Sequence, residues 1–359
     1  MHADWLDKML SIKTKSLKYK YIKLNNFVFS HFDYGFPHLG YVPARPSDDL
    51  CLIILKLLEM KIIVTGSLGN IGKPLTKNLI QHGHDVTVIS SKPERKPAIE
   101  ALGAKAAIGT MQDVNFLSKT FEGADAVYLM ETLDHSTFFD PDIDILADIA
   151  AIGTNYKQAI ENSGVKRVVL LSSIGAHTNK GNGSLVMHYN VENILKELPE
   201  DVHIKFMRPP GFFTNIFRSL QTIKLQGKII SNYGGDKKEP WVSPLDIADK
   251  IAEEMEKTFD GREIHYIASD EVSPNEIAKI IGEAIGSPLK WVAISDEELL
   301  NNMLSIGMNA QIAKGFVEMQ AAQGTGELYE DFYLHKPTFG KVKLEDFAKE
   351  FALFYNSQN

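Results

Sequence analysis

The plainest chemistry in this chain lies in three glycines, within Thr65-Gly66-Ser67-Leu68-Gly69-Asn70-Ile71-Gly72. The run follows a short apolar strand signal, Lys61–Thr65, and opens an amphipathic helix signal, Ile71–His82, ended by Gly83. In that context the first glycine permits a tight turn and the second lets the backbone approach a pyrophosphate. The third lets helix and strand pack closely. The helix N-terminus adds free N–H groups and a partial positive charge. The run therefore predicts a nicotinamide dinucleotide site built from Thr65, Gly66, Leu68, Gly69, Asn70, Ile71 and Gly72. The end of the next strand, Asp85–Ser90, indicates which dinucleotide. A site for NAD usually places Asp or Glu there to hold the ribose 2′-hydroxyl. Here the chain reads Ser90-Ser91-Lys92, with Arg95 close behind. Two hydroxyls and two cations, with no carboxylate among them, suit a 2′-phosphate. NADP(H) is expected in preference to NAD(H).

A turn of this kind needs a scaffold, and the hydrophobic pattern supplies one. Strands are predicted at Lys61–Thr65, Asp85–Ser90, Lys105–Ile108, Ala126–Met130, Arg167–Ser172 and His203–Met207. Helices fall between them at Ile71–His82, Pro97–Leu102, Val114–Phe121, Ile143–Ser163 and Leu185–Leu198. Continuous apolar strands alternating with helices indicate an α/β fold with a doubly wound parallel sheet. Met130 and Ser172, which close the fourth and fifth strands, are placed beside the cofactor. Beyond residue 209 the pattern turns mostly helical: Pro244–Lys257, Pro274–Ile285, Asp296–Leu304, Asn309–Gln320 and Leu344–Phe354, with a strand at Ile264–Ile267. The expected organisation is one dinucleotide-binding domain over 60–359, its substrate lobe formed mainly by 209–359. Residues 1–59, basic from Lys13 to Lys23 and rich in aromatics, Gly and Pro from His31 to Pro46, are read as an extension outside the fold. Met60, directly before the first strand, is read as the functional start; a helix and loop packed on the domain surface is the alternative.

Further runs carry a resemblance. Val168-Val169-Leu170-Leu171-Ser172-Ser173-Ile174-Gly175-Ala176 is one, Phe121-Glu122-Gly123-Ala124-Asp125-Ala126-Val127 a second, and Ser163-Gly164-Val165-Lys166-Arg167 a third. Met207-Arg208-Pro209-Pro210-Gly211-Phe212 and Trp241-Val242-Ser243-Pro244-Leu245-Asp246-Ile247-Ala248 complete the set. With the glycine turn they resemble the short-chain dehydrogenase/reductase superfamily, and within it the atypical NmrA-like branch of NAD(P)H-binding proteins and quinone-reductase relatives. The resemblance spans nearly all of 60–359 and implies a Rossmann fold. Ordinary members of the superfamily use a Tyr-x-x-x-Lys pair on the helix after the fifth strand, where the lysine lowers the tyrosine's pKa. Here that helix reads His188-Tyr189-Asn190-Val191-Glu192-Asn193. Tyr189 is present, but Asn193 cannot supply the cation, so carbonyl reduction by that relay is not expected. A His-x-x-x-Glu pattern at this place is similar to the NmrA-like branch.

His188, Tyr189 and Ser172 are the candidate catalytic groups. His188 and Glu192 share a helix face at i, i+4. Either Glu192 fixes the tautomer of a histidine that orients or protonates a substrate, or the two form an ordinary pair supporting the pocket. Ser172 or Ser173 bonds a substrate oxygen, or both only end the strand. Phe212 and Phe213 are expected to line the acceptor wall, where rings stack on a flat acceptor, or else to pack in the core. Arg208 is expected to anchor its loop.

The remaining properties exclude alternatives. The net charge of −8 offers no basic field for nucleic acid. The single cysteine, Cys51, rules out a disulfide framework or thiolate metal site and fits a reducing cytoplasm. The histidines do not cluster at metal-ligand spacings. The apolar run Leu50–Leu55 is far shorter than the ~20 residues of a membrane span. The leading expectation is an NAD(P)H-dependent oxidoreductase reducing a small electron-poor acceptor such as a quinone. A non-catalytic NADP(H) redox sensor acting through a protein partner is the alternative.

Overall fold

The structure, a computed structural model, describes residues 59–357; apart from Glu59, the extension expected over 1–59 lies outside the described residues. Its centre is a seven-stranded sheet made of β1 (Lys61–Val64), β2 (Asp85–Ser90), β3 (Lys105–Ile108), β4 (Ala126–Leu129), β5 (Arg167–Leu171), β6 (His203–Arg208) and β10 (Arg262–Tyr266). The strands run in the order β10-β6-β5-β4-β1-β2-β3. Every pairing within it is parallel, with Ile63 of β1 opposite both Thr87 and Val127. Alternate residues face opposite sides of a strand, and the two resulting cores follow that rule. Ile62 and Val64 join Val86, Val88 and Tyr128 on one side, under α1 (Gly72–Gln81) and α7 (Pro244–Glu256). Ile63, Val127, Leu129, Val168 and Leu170 face the other side, under α4 (Ile145–Ser163) and α5 (Val186–Lys196). The predicted doubly wound parallel sheet is the observed one.

Beyond β6 the chain builds a lobe with more extended structure than the sequence pattern indicates. A short strand β7 (Gly211–Phe212) pairs with β9 (Glu239–Val242), which also carries β11 (Asp270–Val272). A second pair joins β8 (Lys228–Ser231) to β12 (Lys290–Ala293). At two to four residues each, these strands are too short for an alternation to register. The helices are the larger part: α6 (Leu220–Gln226), α8 (Pro274–Ile285), α9 (Asp296–Ser305), α10 (Ala310–Thr325), α11 (Glu330–Leu334) and α12 (Leu344–Ser357). Helix α8 opens with a capping box, the Ser273 hydroxyl accepting from the Glu276 N–H and the Glu276 carboxylate from the Ser273 N–H. Asn309 caps α10 and also donates to the carbonyls of Asp140 and Ile143. That bond fastens the lobe to the loop that leaves β4. Among the described residues no helix is long and apolar enough to cross a membrane.

Candidate dinucleotide and acceptor site

Strand β1 pairs with β2 on one side and β4 on the other, so the winding reverses between β1 and β4. Open α/β sheets bind ligands outside the carboxyl ends of the strands at such a reversal. The glycine turn leaves β1 at that point. Gly66 has φ +84°, and a Cβ on it would lie 2.2 Å from Met130 Sδ. A Cβ on Gly72 would lie 2.1 Å from the Ser67 carbonyl oxygen. Gly66 is required by its positive φ, as a tight turn predicts, and Gly72 by the Ser67 carbonyl inside the turn instead of by the strand; a Cβ on Gly69 would meet only the Gly66 carbonyl oxygen, at 3.5 Å. Ser67, at φ 58°, is the positive-φ non-glycine residue among the described ones.

The opening of α1 is chemically bare. No side chain caps it and no acidic residue stands in its first turn. By contrast, Asp113 caps α3 (Val114–Phe121) and Asp144 caps α4. The Lys73 N–H donates to the Gly69 carbonyl at 3.1 Å and Pro74 has none, so among the described residues the N–H of Gly72 at the helix start is the one left for an external anion. Thr65 and Met130 fix the walls: the Met130 N–H donates to Thr65 Oγ1 at 3.0 Å. Ser90 is buried, and its hydroxyl is a strut, bonded to Ser67 Oγ at 3.0 Å and accepting the Lys92 N–H at 3.2 Å. It ties the turn to the loop beyond β2, where Ser91, Lys92 and Arg95 are exposed. Among the described residues neither the Lys92 nor the Arg95 side chain has a carboxylate partner, and both cations stand free.

The candidate catalytic residues separate into different environments. The Ser172 hydroxyl is buried and donates to Glu192 Oε1 at 2.6 Å. Arg208 grips the same carboxylate through Nε at 2.8 Å and Nη2 at 2.7 Å, and Lys196 Nζ approaches at 3.2 Å. Burial opposes the Arg208 charge, but its bonds to Glu192 outweigh that and raise its pKa. Glu192 therefore serves Ser172 and Arg208, and the helical pairing with His188 is corrected. A long-range guanidinium with two parallel bonds outcompetes an i, i+4 imidazole. Arg208 is a buried organiser of the strand ends, donating also to the Tyr266 hydroxyl at 3.2 Å. Tyr189 faces a separate cavity of about 280 Å³ shared with Lys196, Arg208, Asp331 and His335. This removes it from the group around His188, because adjacent helix residues point about 100° apart.

His188 instead faces Glu131, with 3.7 Å between His188 Nδ1 and Glu131 Oε2. Glu131 follows Met130 at the end of β4, and no spacing in the sequence marks it. Its side chain is 1 % exposed, and neither of its oxygens has a hydrogen-bond partner. His188 Nδ1 and the Tyr128 hydroxyl are likewise buried without partners. Burial pushes the Glu131 carboxyl up to about 8 against the pull of its own backbone N–H, with the charge of Glu192 adding to the rise. Burial pushes the His188 imidazole down to about 4, against the pull of Glu192. At neutral pH both groups are therefore uncharged.

A cavity of about 720 Å³ lies between the sheet edge and the lobe. Ser173, Ile174 and Phe212 line it on the sheet side, with Phe138, Tyr233, Trp241 and Trp291 among the aromatic walls. Ser173, and not Ser172, is the strand-end serine that faces this space. Phe213 is corrected from the acceptor wall to the core: it is fully buried, stacked on Trp241 at 6.4 Å and on Phe347 at 5.6 Å between ring centroids. The strand ends at Phe212 and Phe213 opens a 3-10 helix, so the change of backbone conformation between them sends the two rings to different surroundings. Buried Glu239, a second residue without a sequence signal, supports the far wall. It accepts from the Tyr233 hydroxyl at 3.1 Å, Trp241 Nε1 at 3.0 Å and the Tyr329 hydroxyl at 2.8 Å. Burial lifts its carboxyl to about 7 despite those bonds.

The NmrA-like family matches residues 59–347. The chain belongs to the NmrA-like family. It is 22% identical to an NAD(P)H azoreductase from Xenophilus azovorans, over 72% of this chain and 86% of that protein. Among solved structures it is similar to the NADPH-dependent quinone oxidoreductase QOR2 of Escherichia coli, with a TM-score of 0.67 and 17% identity, over 81% of this chain and 99% of that one. The triphenylmethane reductase of Citrobacter sp. gives a TM-score of 0.66 at 19% identity, over 82% and 99%. These likenesses establish that the NmrA-like fold is shared.

Proposed function

We propose that this NmrA-like chain is an NADP(H)-dependent reductase of small, electron-poor conjugated acceptors, with neutral quinones as the leading class. The observation that carries the reading is the junction of two features at one sheet edge. One is an uncapped glycine turn with no acidic residue in the helix's first turn, beside a strand end that closes on Ser90-Ser91-Lys92, with Arg95 following Glu94. The other is the 720 Å³ aromatic cavity, which Ser173 and Ile174 line just past the carboxyl end of β5. Thr65, Gly66, Leu68, Gly69, Asn70, Ile71, Gly72 and Met130 would hold the dinucleotide, and Ser91, Lys92 and Arg95 its 2′-phosphate. The bound cofactor supplies a hydride; this chain's residues bind it, exclude water and present the acceptor. The acceptor classes in the names of similar proteins (quinones, azo compounds, triphenylmethane dyes) share a conjugated centre that takes up a hydride. Phe212 and Trp241 offer flat apolar surface for such molecules.

The test is NADPH oxidation by the purified full chain, followed at the nicotinamide absorbance against quinones, azo dyes and triphenylmethane dyes. Turnover with NADPH at least about tenfold above NADH in kcat/KM is expected. No turnover above background with any acceptor would refute the reading. Tight binding selective for one redox state, without turnover, would then favour a sensor, since a ligand shifts an equilibrium only through differential affinity.

A further inference from the structure

We propose that Glu131 and His188 form a buried proton-delivery pair that protonates the reduced acceptor, in the role that the absent Tyr-x-x-x-Lys relay would fill. The proposal rests on the reductase reading and deepens it. Its basis is a contrast within one molecule. The buried carboxyls Glu239 and Glu192 are each fully engaged, Glu239 by Tyr233, Trp241 and Tyr329, and Glu192 by Ser172, Arg208 and Lys196. Glu131, equally buried, has no partner on either oxygen, and the nitrogen that faces it, His188 Nδ1, has none either. Buried polar groups are nearly always bonded, and exceptions call for a functional explanation. Glu131 is the residue after Met130, whose sulfur packs against Gly66 of the dinucleotide turn, and His188 stands one helical turn past Leu185, which lines the acceptor cavity.

The pair's geometry gives a direction of transfer. His188 Nδ1 is inaccessible although 17% of the side chain is exposed, so the exposed part of the imidazole excludes the Glu131-facing nitrogen. A neutral imidazole with its proton on Nε2 can accept at Nδ1 while donating from Nε2. At 3.7 Å the Glu131 contact is longer than a hydrogen bond; such contacts commonly tighten when ligand binds. The surrounding ionisable groups are Tyr128 on β4, Tyr156 on α4, and Glu192 on α5 with its partners Arg208 and Lys196. The step balances as follows. A neutral quinone that has taken a hydride, with its two electrons, is a hydroquinone monoanion. Its oxygen takes the Nε2 proton of His188, and Nδ1 takes the Glu131 carboxyl proton. Glu131 is left as a carboxylate and His188 protonated on Nδ1; a solvent proton taken up at Nε2 then returns the Nδ1 proton to Glu131 and resets both groups.

A triphenylmethane dye cation becomes a neutral product on hydride uptake and needs no proton, which makes it the discriminating acceptor. In Glu131→Gln the ratio of quinone to dye turnover should fall about a hundredfold, within the range general acids contribute. The decline of quinone turnover above about pH 8 should also disappear. His188→Gln should lower the ratio similarly. Independently of turnover, infrared difference spectra of the cofactor-free chain should show two protonated carboxyl bands near neutrality, that of Glu239 titrating near pH 7 and that of Glu131 near pH 8. The Glu131 band should be absent in Glu131→Gln and retained in His188→Gln, with the Glu239 band kept in both. If the Glu131 band is missing from the wild type, or if both acceptors slow equally, the pair has no delivery role. Active wild type with unchanged variants refutes the pair alone; wild type inert to every acceptor refutes the reductase reading, and the pair's role falls with it.

Discussion

Replacing Glu131 by glutamine should stabilise the protein, increasingly so as pH rises. Sequence logic would suggest the reverse for a carboxylate lost beside a histidine. In the folded chain burial holds the Glu131 carboxyl at about 8, against an ordinary 4.5 once the chain unfolds. Its folded pKa is raised, so between pH 4.5 and about 8 the native state binds a proton that the unfolded state has released. Unfolding is then favoured progressively as pH rises through this window. Each pH unit is worth about 1.4 kcal/mol, so by pH 7 the wild type has lost roughly 3 kcal/mol relative to acidic solution. Above pH 8 the loss approaches about 5 kcal/mol, an upper figure for a side chain 1 % exposed. Glutamine keeps the shape, never ionises and breaks no hydrogen bond to another residue, the Glu131 carboxyl being helped only by its own backbone N–H. The assay is urea unfolding of cofactor-free wild type and Glu131→Gln at intervals from pH 5 to 9. Cofactor is omitted because it binds only the native state. The difference between the two stabilities should widen by about 3 kcal/mol between pH 5 and pH 8. A difference constant to within about 0.5 kcal/mol across that range would refute the claim that Glu131 holds a proton in the folded protein.

Other expectations follow from the same site. His188, held near 4 against an ordinary 6.5, stays neutral while the unfolded chain takes up a proton; stability is lost as pH falls through that window, by roughly 3 kcal/mol in all, and His188→Gln should flatten the acid limb of a melting-temperature profile. Arg208→Ala would leave the fully buried Glu192 without its two parallel bonds, and urea unfolding should register a loss of about 3–5 kcal/mol. Phe213→Ala should cost about 3–5 kcal/mol of stability by the same assay. Phe212→Ala, on the cavity wall, should instead raise acceptor KM several-fold with a smaller change in stability. Lys92→Ala with Arg95→Ala should lower the NADPH-to-NADH preference about tenfold in fluorescence titrations, with stability moved by no more than about 0.5 kcal/mol.

The sheet and the turn were legible because both rest on local pattern. Buried parallel strands such as Ala126–Leu129 are apolar throughout, and Gly66 and Gly72 are required by contacts within eight residues or with the adjacent strand end. The errors have a common form. Glu192 looked like the partner of His188 because the two are one helical turn apart, but Arg208, sixteen residues on and a strand away, holds it. Adjacency in sequence leaves Phe212 and Phe213 equally open to cavity wall or core, and the turn from strand to 3-10 helix between them decides it. Glu131 carried no signal beyond being a lone carboxylate straight after a fully apolar strand. What makes it distinctive is burial against α5, more than fifty residues later, and periodicity cannot report that. A charged residue at the carboxyl end of a strand flanking the reversal of strand order was the one available hint.

That placement also explains why the dinucleotide turn can survive without the usual tyrosine and lysine. A proton donor working near neutral pH needs a pKa in that range. A phenol starts near 10 and must be brought down, which requires a cation such as the missing lysine. The phenols buried at this edge, Tyr128 and Tyr156, go the other way, raised by burial and by the charge of Glu131. A carboxyl starts from the opposite side, and desolvation, aided by the charge of Glu192, lifts it: the same burial that disables Tyr128 brings Glu131 to about 8. No cation is required, and one placed beside Glu131 would defeat the purpose by restoring the carboxylate. Substituting Tyr128→Lys should therefore drive Glu131 back toward its ordinary value and abolish its protonated band at pH 7. Persistence of the band beside the introduced ammonium would show that burial is not what keeps the proton on Glu131.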